Sequence, residues 1–307
     1  MYPTRTVAVR RLWAMPDRYA AFCYAPELTA EQLRRFDEAI AGLPAAATGP
    51  SDGGTPDYAF RRVFLELPAD RMRQARDALR GAFAGTTVAT ALVPAELRDA
   101  PGKLIVMDVD STLIQQEVIE LLAEHAGRAE EVRAVTEAAM RGELDFEQSL
   151  HARVQTLAGL PETVFGEVHD AIRLSPGAER LIRTARAGGH TVAAVSGGFS
   201  QILAPIAARL GLDFAKANDL EVEDGRLTGR VRGRIIDRAA KAQALRQWSA
   251  AVGIPLGASI AIGDGANDLD MMSAAGFSVA FNAKPAVVEA ADAAIWRLDL
   301  VVDLAGL

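Results

Sequence analysis

Apolar and polar residues are distributed differently in the first third of the chain and in the rest. Within residues 1–95, strand-like runs occupy 6–13, 19–24, 58–67 and 86–92, and helical spacing occupies 30–43 and 69–83. Thr29, followed three residues later by Gln32, predicts a capping box at the first helix. Residues 44–57 are rich in Gly, Pro and Ala and predict an exposed loop. Strands alternating with helices predict a small α+β domain over 1–95, and residues 94–103, with two prolines and a glycine, predict the linker to a second domain over 102–307.

Beyond the linker the apolar runs are short and continuous, as in parallel strands covered on both faces: 104–107, 191–195 and 259–262. Each run ends on a polar or glycine-rich cluster: Asp108-Val-Asp110, Ser196-Gly197-Gly198 and Gly263-Asp264-Gly265. Ligands of open α/β sheets bind at the carboxyl ends of the strands, so three such ends predict one site. Between the first two strands, 116–126, 129–141, 145–157 and 162–172 show helical spacing broken at Gly127, Gly142, Gly159 and Pro161, which predicts a helical cap over about 116–175. Residues 218–231 predict a β-hairpin turning at Asp224-Gly225.

Bulk composition narrows the partners. A chain of 307 residues has room for two cores, and 50% hydrophobic with 24% charged residues describes an ordinary globular protein. A formal net charge of -7 repels nucleic acid and acidic membrane surfaces, so neither is an expected partner. The single cysteine, Cys23, excludes an intrachain disulfide; with neither a signal-peptide pattern nor a spanning apolar run, a cytoplasmic location is expected.

The strand-end clusters carry the chemistry. Asp108 and Asp110 can face one pocket if the backbone turns between them, although such residues also serve as helix caps. Asp264 and Asp268 bring further carboxylates to a neighbouring strand end. Four carboxylates gathered there repel one another unless a hard cation neutralises them, and Mg²⁺ takes a few carboxylates, waters and substrate phosphate. Ser196-Gly197-Gly198 offers a hydroxyl and backbone N–H groups opening a helix, suited to an anion. Lys241, near the start of a helix whose apolar face includes Leu245 and Trp248, becomes a candidate phosphate ligand only beside the other clusters.

Asp108-Val-Asp110-Ser111-Thr112, Ser196-Gly197-Gly198, Lys241 and Gly263-Asp264-Gly265-Ala266-Asn267-Asp268 stand in the order of the four motifs of the haloacid dehalogenase superfamily, which the chain resembles. Further stretches, Glu117-Val-Ile-Glu120, Ala139-Met140 through Phe146, Ser149-Leu150, Arg153-Val154, Val195-Ser-Gly-Gly-Phe199, Ala217-Asn218 and Ala283-Lys-Pro285, resemble its bacterial phosphoserine phosphatase branch, over about 102–295. The resemblance implies an α/β fold: a Rossmann-like parallel-sheet core with a helical-bundle cap. It also implies a magnesium-dependent hydrolysis of O-phospho-L-serine to L-serine and phosphate, the last step of serine biosynthesis. Asp108 would be the nucleophile that forms an aspartyl phosphate and Asp110 the general acid and base. Asp108, the Asp110 carbonyl and Asp264 would hold Mg²⁺, with Asp268 behind them. Ser196, Gly197, Lys241 and Asn267 would bind phosphate. Glu117 and Arg153 would take the ammonium and carboxylate of serine, and Met140 and Phe146 would line the site. Over 1–95 the resemblance implies an ACT-like domain for regulation or homodimer formation.

Alternative readings are a phosphatase for another small phosphomonoester such as phosphothreonine, a receiver that holds phosphate without turnover, and a serine-binding regulator. A serine hydrolase is excluded, because no Gly-x-Ser-x-Gly elbow occurs.

Overall fold

In the computed structural model, residues 17–140 and 143–307 are described. The predicted strand at 6–13 lies outside them. The chain divides into two compact units, one ending at Ala95 and the other running from Glu96 to Leu307.

The first unit follows the order β1 (Asp17–Ala25), α1 (Ala30–Ala41), β2 (Ala46–Ala47), β3 (Ser51–Thr55), β4 (Tyr58–Leu67), α2 (Met72–Ala82), β5 (Ala89–Pro94). Its sheet is antiparallel, with order β2-β4-β1-β5 and β3 also on β4, a β-α-β-β-β-α-β arrangement. Thr29 and Gln32 form the predicted reciprocal cap, at 3.2 and 2.9 Å. Phe36 and Ile40 of α1 and Ala75 and Leu79 of α2 pack on alternate residues of the sheet, among them Ala21, Cys23, Val63 and Leu65. Burial pushes the Cys23 thiol up to about 12, so it is protonated and inert.

Three expectations are corrected here. The predicted loop at 44–57 contains β2 and β3, because Asp52 lies directly across from Arg61 and accepts from its Nε and Nη2 at 2.7 and 2.8 Å. Thr86 is a turn residue rather than a strand residue. Its hydroxyl donates to the Phe83 carbonyl at 2.7 Å, and the strand begins at Ala89. The predicted linker contains the helix α3 (Ala95–Asp99).

The second unit continues with β6 (Leu104–Met107), α4 (Val118–His125), α5 (Ala129–Met140), α6 (Phe146–Gln155), α7 (Val164–Ala171) and α8 (Ala178–Ala187). Then come β7 (Thr191–Phe199), α9 (Ser200–Leu210), β8 (Phe214–Glu223), β9 (Arg226–Arg232), α10 (Arg238–Val252) and β10 (Ser259–Gly263). It closes with α11 (Leu269–Ala274), β11 (Phe277–Phe281), α12 (Pro285–Ala290), β12 (Ala293–Ile295) and α13 (Leu300–Ala305). The sheet order is β12-β11-β10-β6-β7-β8-β9, parallel except for β9. β6 is central and buried on both faces, which accounts for its unbroken apolar run. Met107 is in register with Ile262 on one side and Ala194 on the other, so the carboxyl ends of β6, β7 and β10 meet at a topological switch point.

Helices α4–α7 lie within the four predicted helical spans. The loop between α6 and α7 is seated on the β8–β9 hairpin: Gly159 N–H donates to Leu227 O at 2.8 Å, Leu227 N–H to Leu160 O at 2.8 Å, and Glu162 N–H to Gly225 O at 2.9 Å. The hairpin turns at Asp224 (φ 50°) and Gly225 (φ 72°), as predicted. Gly229 of β9 has φ +82°, and a Cβ there would lie 2.9 Å from the Ala158 Cβ and 3.3 Å from the Gln155 Cα.

Gly229→Ala therefore combines backbone strain with a clash against the cap, and we expect it to lower stability by about 1–3 kcal/mol. A urea titration checks this, and an unchanged midpoint would contradict the tight seating.

Candidate active site

The site is assembled where the chain leaves β6. Asp108 N–H continues the strand ladder to Ile262 O at 2.9 Å. The backbone then reverses through Ser111, which has φ 55°, a conformation uncommon for a residue with a Cβ. Ser111 is held by its N–H on Gln116 O at 3.2 Å and by its hydroxyl on Glu117 Oε1 at 2.7 Å. This turn is the one the sequence required for Asp108 and Asp110 to face a common cavity, and both line it.

Each carboxylate has defined partners. Asp108 Oδ1 accepts from Val109 N–H at 2.7 Å and lies 2.8 Å from Lys241 Nζ. Asp110 Oδ1 accepts from the N–H of Val118, the first residue of α4, at 2.8 Å, and its Oδ2 accepts from Ser196 Oγ at 3.1 Å. Asp264 Oδ1 accepts from Thr112 Oγ1 at 3.0 Å. Asp268 is fully buried; its Oδ2 accepts from the N–H groups of Asp264 and Gly265 at 3.2 and 3.1 Å, and its Oδ1 from Lys241 Nζ at 2.7 Å.

Lys241 is 1% exposed and wedged between Asp108 and Asp268, beside the clusters that made it a candidate phosphate ligand. Burial alone would lower its pKa, but the two flanking carboxylates raise it above the ordinary lysine value, so it carries its charge. Burial is the main cause that pushes Asp108 well above the usual carboxylate range, followed by the charge of Asp268 and against the pull of Lys241. Asp264 is raised by burial and by Asp268, and Asp110 by burial against the Val118 and Ser196 hydrogen bonds.

Burial is the first cause of each of these shifts; at Asp108 and Asp264 the charge of Asp268 adds to it, and a cation there would relieve that repulsion. Asp108, Asp264 and Asp268 offer oxygens within 4.8 Å of one another. Both oxygens of Asp268 are already engaged, so Asp108 and Asp264, each with one carboxylate oxygen in the hydrogen bonds above, are the better-placed ligands. An all-oxygen, carboxylate-rich set of this kind fits a hard divalent ion.

The cavity measures about 190 Å³, below the roughly 300–1,000 Å³ of drug-sized ligand sites, so it suits a small metabolite. Predicted site residues Glu117, Phe146, Arg153, Gly197, Asp264 and Asn267 all line it. Ser196, Lys241 and Asp268 sit beneath its wall, buried to 1% exposure or less. The side chain of Met140 lies outside the described residues. Burial raises Glu117 to about 7, with the Asp110 charge adding to it, and burial lowers Arg153. A carboxylate and a guanidinium of the cap thus face the same small volume as the aspartates.

Two features differ from expectation. β7 runs on to Phe199 and α9 opens only at Ser200, so Ser196-Gly197-Gly198 does not itself open the helix. The Gly198 N–H is also taken, donating to Ser196 Oγ at 2.7 Å. A Cβ on Gly198 would lie 2.6 Å from Asp110 Oδ2, so the glycine permits close approach of that carboxylate. Sequence reading missed Ile119, Leu150 and Phe199 as cavity-lining residues. Helical spacing could have found Leu150, which lies four residues from Phe146 on the same face of α6.

Among known proteins, the haloacid dehalogenase-like hydrolase family matches residues 105–273. A phosphoserine phosphatase of Streptomyces coelicolor is 58% identical over 279 residues, which cover 88% of this chain and 68% of that protein. A phosphoserine phosphatase of Mycobacterium tuberculosis is 55% identical over 207 residues, covering 67% of this chain and 51% of that protein. The crystal structure of a hydrolase of the same family from Salmonella enterica serovar Typhi superposes with a TM-score of 0.82 at 29% identity, covering 93% of this chain and 98% of that one. The match over more than half of the chain, together with the 58% identical relative, shows that the chain belongs to the haloacid dehalogenase-like hydrolases.

Proposed function

We propose that this chain is a Mg²⁺-dependent phosphatase whose substrate is O-phospho-L-serine. The observation that carries this reading is the pairing, in one cavity of about 190 Å³, of the Asp108–Lys241 centre with Glu117 and Arg153. Phosphoserine presents a phosphate, an ammonium and a carboxylate, and the cavity offers a complement to each. The relatives named phosphoserine phosphatase support the same substrate.

Asp108 attacks phosphorus in line, forming an acyl phosphate as the P–O bond to serine breaks. Asp110 gives a proton to the departing serine oxygen. It then takes one from the water that hydrolyses the acyl phosphate, and so returns to its starting state. Its orientation comes from the Val118 N–H on one oxygen and Ser196 on the other. Lys241 and the Gly197 backbone N–H bind phosphoryl oxygens, and the single Ser196 hydroxyl proton turns from Asp110 to a phosphoryl oxygen when phosphate enters, placing positive charge and donors where negative charge accumulates. Asn267 lines the same side of the cavity. Asp108, Asp264 and the Asp110 carbonyl would hold Mg²⁺, with Asp268 positioning Lys241. The ion, when bound, supplies positive charge against the phosphoryl oxygens. Phe146 lines the serine side, and we assign the same role to Met140.

The test is phosphate release from a panel of phosphomonoesters, with and without Mg²⁺, with Asp108→Asn measured beside wild type. Phosphoserine should lead the panel, chelation should abolish turnover, and the variant should fall below about a hundredth of wild type while remaining folded. Phosphothreonine or another ester in first place would redirect the assignment.

Arg153→Ala should remove a charge-assisted contact to the serine carboxylate worth about 2–4 kcal/mol, or about 30- to 1,000-fold in kcat/KM. Phosphoethanolamine lacks that carboxylate, so its turnover should be nearly unchanged. Equal losses on both substrates would assign Arg153 to cap closure instead.

The first unit contributes none of these groups, and we propose it as an ACT-like domain for dimer formation or regulation, with the phosphatase unit at 102–307 and the cap at about 116–175. Solution mass of the chain with and without residues 1–95 tests the dimer reading, and a monomer in both cases leaves only regulation. We propose a cytoplasmic location for this phosphatase; separately, no described helix is long and apolar enough to cross a membrane.

A further inference from the structure

Strands β7 and β8 run parallel, but their register breaks at the site. Val195 pairs with Lys216 and Phe199 with Asn218, so the three residues 196–198 of β7 stand against the single residue Ala217 of β8. With two residues in surplus, the Ser196–Gly198 segment bulges out of the ladder toward the cavity. A carbonyl drawn out of a sheet and buried needs a replacement donor. The Asn218 side chain supplies one, its Nδ2 donating to Gly197 O at 2.7 Å. The other end of the same amide accepts from Ile236 N–H at 2.8 Å. Asn218 is 2% exposed, and the amide orientation is dictated by its neighbours, since only one assignment meets both a carbonyl and an N–H.

Ile236 directly precedes Asp237, whose carboxylate caps α10 by accepting from Ala240 N–H at 2.7 Å. Lys241 follows in the first turn of that helix. One buried amide therefore bridges the two segments that carry the phosphate-facing groups, Gly197 on β7 and Lys241 on α10. Neither segment is otherwise fixed at this point by a strand ladder: β7 has left register, and residues 233–237 lie between β9 and α10.

We propose that Asn218 is a positioning residue for phosphoryl transfer, holding the Gly197 bulge and the Lys241 helix at the spacing that the transferring phosphoryl group requires. Asn218 touches no substrate, and its effect is on the placement of donors that strengthen as charge moves onto phosphorus. This rests on the phosphatase reading above.

The experiment compares Asn218→Asp and Asn218→Ser with wild type in steady-state phosphoserine hydrolysis, thermal melting and inhibition by orthovanadate, a mimic of the transferring phosphoryl group. Asn218→Asp keeps an acceptor for Ile236 but sets an oxygen against the Gly197 carbonyl. Asn218→Ser removes both contacts without adding charge, which separates positioning from repulsion of phosphate. The expected result is a fall of about tenfold or more in kcat for both folded variants, with KM within about threefold and vanadate inhibition weakened in parallel with kcat/KM. Folded variants with kcat/KM and vanadate inhibition within about twofold of wild type would overturn the proposal. So would a lowered melting temperature with unchanged kcat, or failure of both variants to fold, since Asn218 would then serve the fold alone. Absence of phosphate release by wild type would instead overturn the phosphatase reading.

Discussion

A single ammonium group, the Nζ of Lys241, lies 2.8 Å from Asp108 and 2.7 Å from Asp268 in a wall from which solvent is almost excluded. It joins three parts of the second unit: the end of β6, the loop after β10 and the first turn of α10. A buried ion pair is weak evidence of net stabilisation, but loss of one partner leaves an uncompensated charge and costs roughly 3–5 kcal/mol. The three elements are therefore held in one relative placement, and the catalytic groups inherit it. Asp268 serves the lysine with one oxygen and two backbone N–H groups with the other, so it acts as scaffold. Asp108 and Asp264 are left with oxygens for chemistry.

The second constraint is the backbone at Ser111. Its left-handed conformation costs about 1–3 kcal/mol and persists because its N–H, its hydroxyl and the ladder bond at Asp108 fix the chain on both sides. The reversal brings Glu117 and the start of α4 back over the aspartates. Val118 N–H then holds Asp110, so the first turn of the cap and this carboxylate share one hydrogen bond. The position of the cap and the orientation of Asp110 are coupled at that point, while α6 brings Phe146, Leu150 and Arg153 to the same cavity. A small cavity with charges of both signs selects by the groups a substrate carries as well as by its size.

Much of this was legible in the residue pattern, because period and strand-end chemistry are local properties. The buried run at 104–107, the Asp224-Gly225 turn, the Thr29–Gln32 box and the four cap helices follow from spacings of two to four residues, the range over which sequence dictates backbone. The rule that parallel strands present ligands at their carboxyl ends places Asp108, Ser196 and Asp264 at one site, and all three strand ends do meet there. Pairing across the chain was not legible. β3 is held where Asp52 meets Arg61 across the sheet and β2 pairs further along the same strand, yet the same residues read locally as a glycine-rich loop.

What the sequence alone determined is thus the elements and the residues at their ends: acidic strand ends, a glycine-rich strand end beside them, and a run of helices inserted between two buried strands. Tertiary structure decided the state of each group. It buried Lys241 rather than solvating it, occupied both oxygens of Asp268, turned the Gly198 N–H onto Ser196, and set Asn218 against a carbonyl displaced from the sheet. The physical reason is that charge, desolvation and hydrogen-bond partnership depend on which atoms lie within about 3 Å, and those neighbours come from residues as far apart in the chain as Thr112 and Asp264.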